Sequence, residues 1–130
     1  MTEQFEDIKI TSLDESASRP SGQGALMCLV LRLSQTAPSY WAQFFNETWK
    51  QQLYAMKRRA AVSGSRLEII CMPDELDVDH LPELKKVIAE ANQAYRAHAA
   101  NEQRRQEQEA AEHRRQKEAL AKLNKTLKFD

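Results

Sequence analysis

Glycine and proline are scarce in this sequence. Its 130 residues include three glycines and four prolines, and neither occurs beyond residue 82. These two residue types are the ones that most often end a helix or permit a tight turn. Their scarcity excludes a collagen-like or low-complexity chain, and it leaves no helix-ending residue in the last third of the sequence.

A charge excess of one sign and long apolar runs are also lacking. Lysine plus arginine equals aspartate plus glutamate at 19 each, so no strong overall field attracts a nucleic acid or an acidic membrane. The longest apolar run, residues 25–31, falls short of the ~20 residues of a membrane-spanning helix. The acidic, polar start, MTEQFEDIKI, is unlike a signal peptide. We therefore expect no membrane segment.

Cysteine occurs only at Cys28 and Cys71, each inside an apolar run and neither in a CxxC pair. This pattern is typical of buried free thiols in a reducing compartment rather than of a disulfide framework. It predicts a cytoplasmic protein.

Four segments have the composition of β-strands. Ile8 and Ile10 alternate with polar neighbours in a half-exposed strand. A second strand is apolar at both odd and even positions, so both of its faces need cover. Residues 57–64 fit either a longer helix or a strand, and we favour a short strand followed by a tight turn. The predicted strands are 5–13, 25–34, 58–62 and 66–72, with a serine-, glycine- and proline-rich flexible loop at 14–24.

Two helices are predicted. The first follows Pro38, which suits a first helical turn, and extends through about Met56. It carries a band of aromatic residues wider than a core-facing stripe requires. The second begins between Asp79, a candidate N-cap, and Pro82, and nothing ends it before about residue 127. Its apolar positions keep helical spacing only through Leu84, Val87, Ile88, Ala91 and Tyr95.

These elements predict an α+β fold with a small, mainly antiparallel sheet of three or four strands. The order is strand, strand, helix, short strand, strand, long helix. We expect residues 1–100 to form the folded domain and residues 101–130 a solvent-exposed, projecting helical extension. Because the strand at 25–34 is apolar on both faces, we expect either helices on both faces of the sheet or a partner subunit, and we favour a homodimer.

The helical extension has almost no apolar stripe. Residues 101–119 contain five acidic and five basic side chains, at spacings that let a solvated helix stabilise itself. Leucines then return at positions three and four apart, and such a face predicts a partner contact. A long coiled coil is disfavoured because polar residues such as Glu102 and Gln116 occupy its seam. The predicted partner-binding residues are Leu120, Leu123 and Leu127 of this face and Trp41 and Trp49 of the aromatic band.

Three pairs of consecutive arginines are candidate phosphate contacts. Glutamates surround the two pairs in the extension and cancel much of the field that a polyanion would sense. The pairs are Arg58 and Arg59, Arg104 and Arg105, and Arg114 and Arg115.

No arrangement typical of catalysis or of metal binding stands out. Glu109 and His113 share a helix face, but no second histidine or cysteine motif accompanies them. The acids at 74–79 lack the central glycine of a calcium loop. We therefore predict no catalytic, cofactor-binding or metal-binding residue and no cofactor.

These observations favour a non-enzymatic cytosolic interaction protein, such as an adaptor, accessory or regulatory factor. It would act through a dimer surface and the C-terminal helix on a partner protein that the sequence does not identify. One alternative is a nucleic-acid-binding accessory protein that uses the arginine pairs. A further alternative is a small enzyme whose site lies in the cleft between sheet and helix, so an enzymatic activity stays open.

Overall fold

The computed structural model describes residues 5–129 and shows the predicted α+β fold, with an antiparallel sheet and a long C-terminal helix. The elements are β1 (Ile10–Leu13), β2 (Arg19–Pro20), β3 (Met27–Leu33), α1 (Ser39–Gln51), β4 (Arg59–Ser63), β5 (Arg66–Cys71), a π-helical segment (Leu76–His80) and α2 (Leu81–Thr126).

The sheet has the strand order β1-β3-β5-β4, and the two-residue strand β2 also pairs with β3. Every strand pair is antiparallel. Strands β4 and β5 form a hairpin in which Ser63 lies opposite Arg66, and Gly64 between them has a φ of 61°. That left-handed conformation suits glycine, so the strand and tight turn favoured for residues 57–64 are confirmed.

One hydrophobic core lies on a single face of the sheet. Both helices contribute to it, so the first of the two expected alternatives, helices on both faces of the sheet, does not occur, and the favoured homodimer stays a prediction. The core includes Leu29, Leu31 and Leu33 of β3, Trp41, Phe45 and Trp49 of α1, and Leu84, Val87, Ile88 and Ala91 of α2.

The segment that the sequence predicted as a loop pairs with β3 along the stretch whose opposite face carries Cys28 and Val30. Cys28 and Val30 are buried there, outside the core. The Val30 amide donates to the Ser18 hydroxyl at 3.0 Å, and its carbonyl accepts from the Asp14 amide at 2.8 Å. Arg19 of β2 pairs with Cys28. Part of the segment 14–24 thus lines the edge of β3 next to these two buried side chains.

Helix α1 ends at Gln51, five residues before the predicted end near Met56. Gln52 is extended, and its side chain donates to Glu83 at 2.6 Å. The turn away from the helix axis also brings Tyr54 against Trp49, with ring centroids 5.7 Å apart. These tertiary contacts outweigh the local helix propensity.

Helix α2 begins at Leu81, within the predicted interval between Asp79 and Pro82, and the π-helical segment Leu76–His80 leads directly into it. Asp79 lies inside the π-helical segment and does not cap a helix. The predicted apolar face of α2 is confirmed, because its four residues from Leu84 to Ala91 are buried and Tyr95 packs against the core.

Two asparagines satisfy backbone groups at opposite edges of the sheet. The Asn46 carboxamide of α1 accepts from the Val62 amide at 2.7 Å and donates to the Val62 carbonyl at 3.2 Å. The Asn92 carboxamide of α2 makes the same two bonds to Ile8, at 2.9 and 3.0 Å, and also accepts from Trp41 Nε1 at 2.9 Å. Each side chain therefore stands in for a neighbouring strand.

The chain divides into two compact units, and the division falls between Arg96 and Ala97. The first contains the sheet, α1 and the hydrophobic core. The second consists of the C-terminal part of α2 and the residues that follow it, with nearly all side chains exposed. In the part of the chain that the structure describes, no helix has both the length and the apolar character that a bilayer crossing demands.

Candidate functional site

A basic segment, Lys57 to Arg59, follows the loop after α1 and ends at Arg59, the first residue of edge strand β4. It lines two cavities in the first unit. One, of about 560 Å³, is lined by Trp49, Lys50, Lys57, Arg58, Arg59, Ala60 and Ala61. The other, of about 290 Å³, is lined by Gln23, Leu26, Lys57, Arg58, Arg59 and Ile70. Neither lining contains an acidic side chain, so the two cavities share a cationic wall.

A buried polar network holds this segment from inside. Arg58 contacts the Glu75 carboxylate twice, with Nη2 to Oε1 at 3.0 Å and Nε to Oε2 at 3.3 Å. Glu75 Oε2 also lies 3.1 Å from Nε2 of His80, whose side chain is fully buried. The Tyr54 hydroxyl lies 2.8 Å from His80 Nδ1. Because the Glu75 carboxylate only accepts, the contact at Nε2 requires the His80 ring to donate there.

The surroundings of Glu75 and Tyr54 shift the pKa values of both side chains. The hydrogen bond from Arg58 lowers the pKa of Glu75 below its ordinary value, so the carboxylate stays ionised. Burial raises the pKa of Tyr54 to about 12 and that of Cys71 to about 11. A tyrosine and a thiol with raised pKa values are poor nucleophiles at neutral pH. The network therefore positions residues rather than activating them.

The segment between α1 and β4 is fixed at several points. Trp49 Nε1 donates to the Arg58 carbonyl at 3.0 Å, and Lys57 Nζ donates to the Lys50 carbonyl at 3.0 Å. The Lys57 ammonium also lies 5.8 Å from the centroid of the Trp49 ring. Met56, just before the segment, has a φ of 61°, a conformation that non-glycine residues rarely adopt. Arg59 is exposed on β4.

The predicted partner residues fall into two groups. Trp41 and Trp49 are buried in the core and stack on Phe45, with centroids 5.8 and 6.1 Å away. A partner contact through these two rings would require the core to open. Leu123 and Leu127, by contrast, are exposed with Leu120 in the second unit.

The candidate phosphate contacts also separate. Arg58 and Arg59 come together with Lys57 at the two cavities. The other two pairs lie in the second unit, on α2. There Arg105 pairs with Glu102 at 2.9 Å and with Glu109 at 2.8 Å, and Arg115 pairs with Glu112 at 2.5 Å. These carboxylates compensate charge that a phosphate would otherwise meet.

The sequence interpretation missed the polar residues that organise the first unit: Asn46, Tyr54, Glu75, His80 and Asn92. One signal was present for Asn92, because it lies four residues after Ile88 on an otherwise apolar face. Glu75 is one of the acids at 74–79 that precede the second helix. Its partner Arg58 is distant in the sequence, and its other partner, His80, is a histidine rather than a lysine or an arginine. No local pattern joins them.

The chain matches no known family model, no curated protein and no solved structure. Among residues 5–129, no group of three or more histidine, cysteine, aspartate or glutamate side chains is placed to hold a metal ion. The surfaces of the protein itself are therefore the basis on which a function can be proposed.

Proposed function

We propose that the protein is a non-enzymatic interaction protein that binds a partner protein through the leucine face of its C-terminal helix. The leucine face consists of Leu120, Leu123 and Leu127. The observation that carries the proposal is the exposure of these side chains, which is 66%, 51% and 47%. They lie three and four residues apart, and the Leu127 amide bonds to the Leu123 carbonyl at 3.0 Å, so all three share one side of the helix.

The helix around this face has no role in the core of the first unit. Among residues 96–129, none belongs to the core or is a partly buried hydrophobic residue packed against it. Local ion pairs, such as those from Arg105 to Glu102 and Glu109, stabilise the exposed helix instead. Burying one leucine side chain contributes about 1.5–3 kcal/mol, so three can support a moderate contact after association costs.

The charge distribution favours an acidic helical segment as the partner. Residues 113–129 contain six lysines and arginines and one glutamate, a net +5 with histidine neutral (6 − 1). Two parallel copies would place these positive ends side by side, which disfavours that form of self-pairing. An acidic amphipathic helix would meet both the leucines and the surrounding cations. The homodimer through the folded domain stays a separate prediction.

The test replaces two leucines and preserves the charge change in a control. Leu123→Asp with Leu127→Asp lowers the net charge by two, and so does Lys125→Asp, which lies on the opposite side of the helix at 100° per residue. We expect affinity capture from the source cells to retain a partner with the original chain and with Lys125→Asp, and to lose it with the double variant. Identical captured proteins for all three chains would contradict the proposal.

Sedimentation velocity on the same three chains separates a second copy from a different partner. A concentration-dependent dimer that disappears only in the double leucine variant would replace the acidic partner by a second copy of this chain. A dimer that persists in all three would support the homodimer through the folded domain and leave the leucine face for another protein.

A further inference from the structure

The cationic wall shared by the two cavities carries more positive charge than the ion pairs among residues 5–129 compensate. Arg58 is neutralised by Glu75, to which it makes two bonds. Lys50, Lys57 and Arg59 form no ion pair with any carboxylate among residues 5–129. Three free cations therefore adjoin one cavity, in a chain whose net charge is zero. Such a local excess attracts an anion.

The cavities have the size and mixed lining of a small-molecule site. The larger one, at about 560 Å³, lies within the ~300–1,000 Å³ range of ligand pockets. Its apolar lining comes from Trp49, Ala60 and Ala61, beside the ammonium and guanidinium groups. The smaller cavity adds Leu26 and Ile70 on the other side of the wall. This combination suits an apolar body with an anionic group attached.

The backbone of the segment that carries these cations is held in place by contacts within the protein. Arg58 is bonded through its side chain to buried Glu75 and through its carbonyl to Trp49 Nε1. Arg59, the next residue, is the first of β4 and pairs with Ile70 of β5. A ligand that binds here spends little free energy on ordering the segment, which is the advantage of a preorganised site.

We infer that these cavities form a binding site for a small organic phosphate, in which Lys57 and Arg59 contact the phosphate and the cavity beside Trp49, Ala60 and Ala61 takes the apolar part. Three positive charges without an ion-pair partner are enough to balance the charge of one phosphate group. A nucleic-acid strand would require a longer row of uncompensated cations, because its affinity comes from many phosphate contacts. The site lies in the first unit and does not depend on the leucine face.

The experiment is an NMR titration of the full-length, ¹⁵N-labelled protein with adenosine monophosphate, adenosine and inorganic phosphate. The three probes separate the apolar body from the phosphate. We expect saturable shifts of the amides of residues 57–61 with adenosine monophosphate, at an affinity at least about tenfold higher than with either of the other two probes.

Two double variants test the assignment to Lys57 and Arg59. Lys57→Ala with Arg59→Ala removes two positive charges from the wall, and Lys85→Ala with Arg66→Ala removes two exposed charges elsewhere in the first unit. We expect the first to weaken adenosine monophosphate binding about tenfold or more, and the second to leave it within about twofold. Amide spectra without ligand show whether each variant keeps the fold.

Four results would overturn the inference. One is the absence of saturable shifts at millimolar adenosine monophosphate. Another is equal binding of adenosine, which would make the phosphate irrelevant. Equal binding of inorganic phosphate would remove the organic part. An equal loss in both double variants would reduce the effect to net charge.

Discussion

An arginine–carboxylate pair occurs in each unit of this protein, with nearly the same shortest distance. Arg58 and Glu75 approach to 3.0 Å in the first unit, and Arg105 and Glu102 approach to 2.9 Å in the second. Their surroundings differ, because the Glu75 side chain is 9% exposed and that of Glu102 is 42% exposed. The distance alone does not determine how much a pair contributes to stability. Solvent screens the second pair, whereas the carboxylate of the first pair also accepts a hydrogen bond from buried His80.

Two asparagines of α2 repeat the contrast. Asn92 is buried and serves three hydrogen-bonding partners, two on Ile8 and one on Trp41. Asn101, nine residues later on the same helix, accepts one exposed bond from Arg104 at 2.9 Å. One helix therefore joins a unit held by long-range contacts to a unit held by neighbours in sequence.

The largest effect is expected from Asn92→Ala. The change leaves the Ile8 amide, the Ile8 carbonyl and Trp41 Nε1 without partners in a buried site, and each such group costs about 1–3 kcal/mol. We expect the free energy of unfolding to fall by about 3–4 kcal/mol, measured by urea denaturation. Asn101→Ala is the matched control and should stay within about 0.5 kcal/mol of the original chain. Equal losses in the two variants would refute the distinction.

A smaller effect, dependent on pH, is expected from Glu75→Gln. Arg58 lowers the pKa of Glu75 in the folded state below its ordinary value of 4.5. The ionised carboxylate therefore stabilises the fold at pH values above 4.5. That stabilisation is lost as the pH falls through the lowered pKa. We expect the variant to melt several degrees below the original chain at pH 7, and the difference to shrink below about pH 4.5.

Glu102→Gln is the control for this pH dependence. Its carboxylate also has a lowered pKa, because of the hydrogen bond from Arg105. The pair is exposed, so we expect no measurable change of the melting midpoint at either pH. A pH-dependent loss as large as that of Glu75→Gln would show that burial is not what distinguishes the two pairs.

The smallest effect is expected from truncation after Ala100. None of residues 101–129 belongs to the core, so the melting midpoint should change by no more than about 2 °C. The helical signal in far-ultraviolet circular dichroism should fall in proportion to the residues removed. A large drop in the melting midpoint would mean that the second unit supports the first.

The sequence predicted those features that depend on neighbours in the chain. Helical spacing marked Leu84, Val87, Ile88 and Ala91 as a buried face, and alternation or a short continuous apolar run located the strands, because these patterns extend over a few residues. The fold class followed from the order of these elements.

Features that depend on distant residues were not predictable in the same way. The end of α1 is decided by Gln52 and Tyr54, whose partners Glu83 and His80 lie 31 and 26 residues away. Asn92 and Ile8 are 84 residues apart. A single sequence shows which side chains can hydrogen-bond, but not which of them the fold brings together. The candidate site was therefore seen only as two adjacent arginines.

The asparagine at the edge of β4 has a consequence for how any partner can attach. An open edge strand invites another chain to add a strand of its own through backbone hydrogen bonds. At Val62 both the amide and the carbonyl are already taken by Asn46. Two residues before β1, at the other end of the strand order, Asn92 occupies both groups of Ile8. An incoming strand would have to displace a side-chain carboxamide at either end. Recognition by sheet extension is therefore disfavoured, and a contact through side chains is favoured instead.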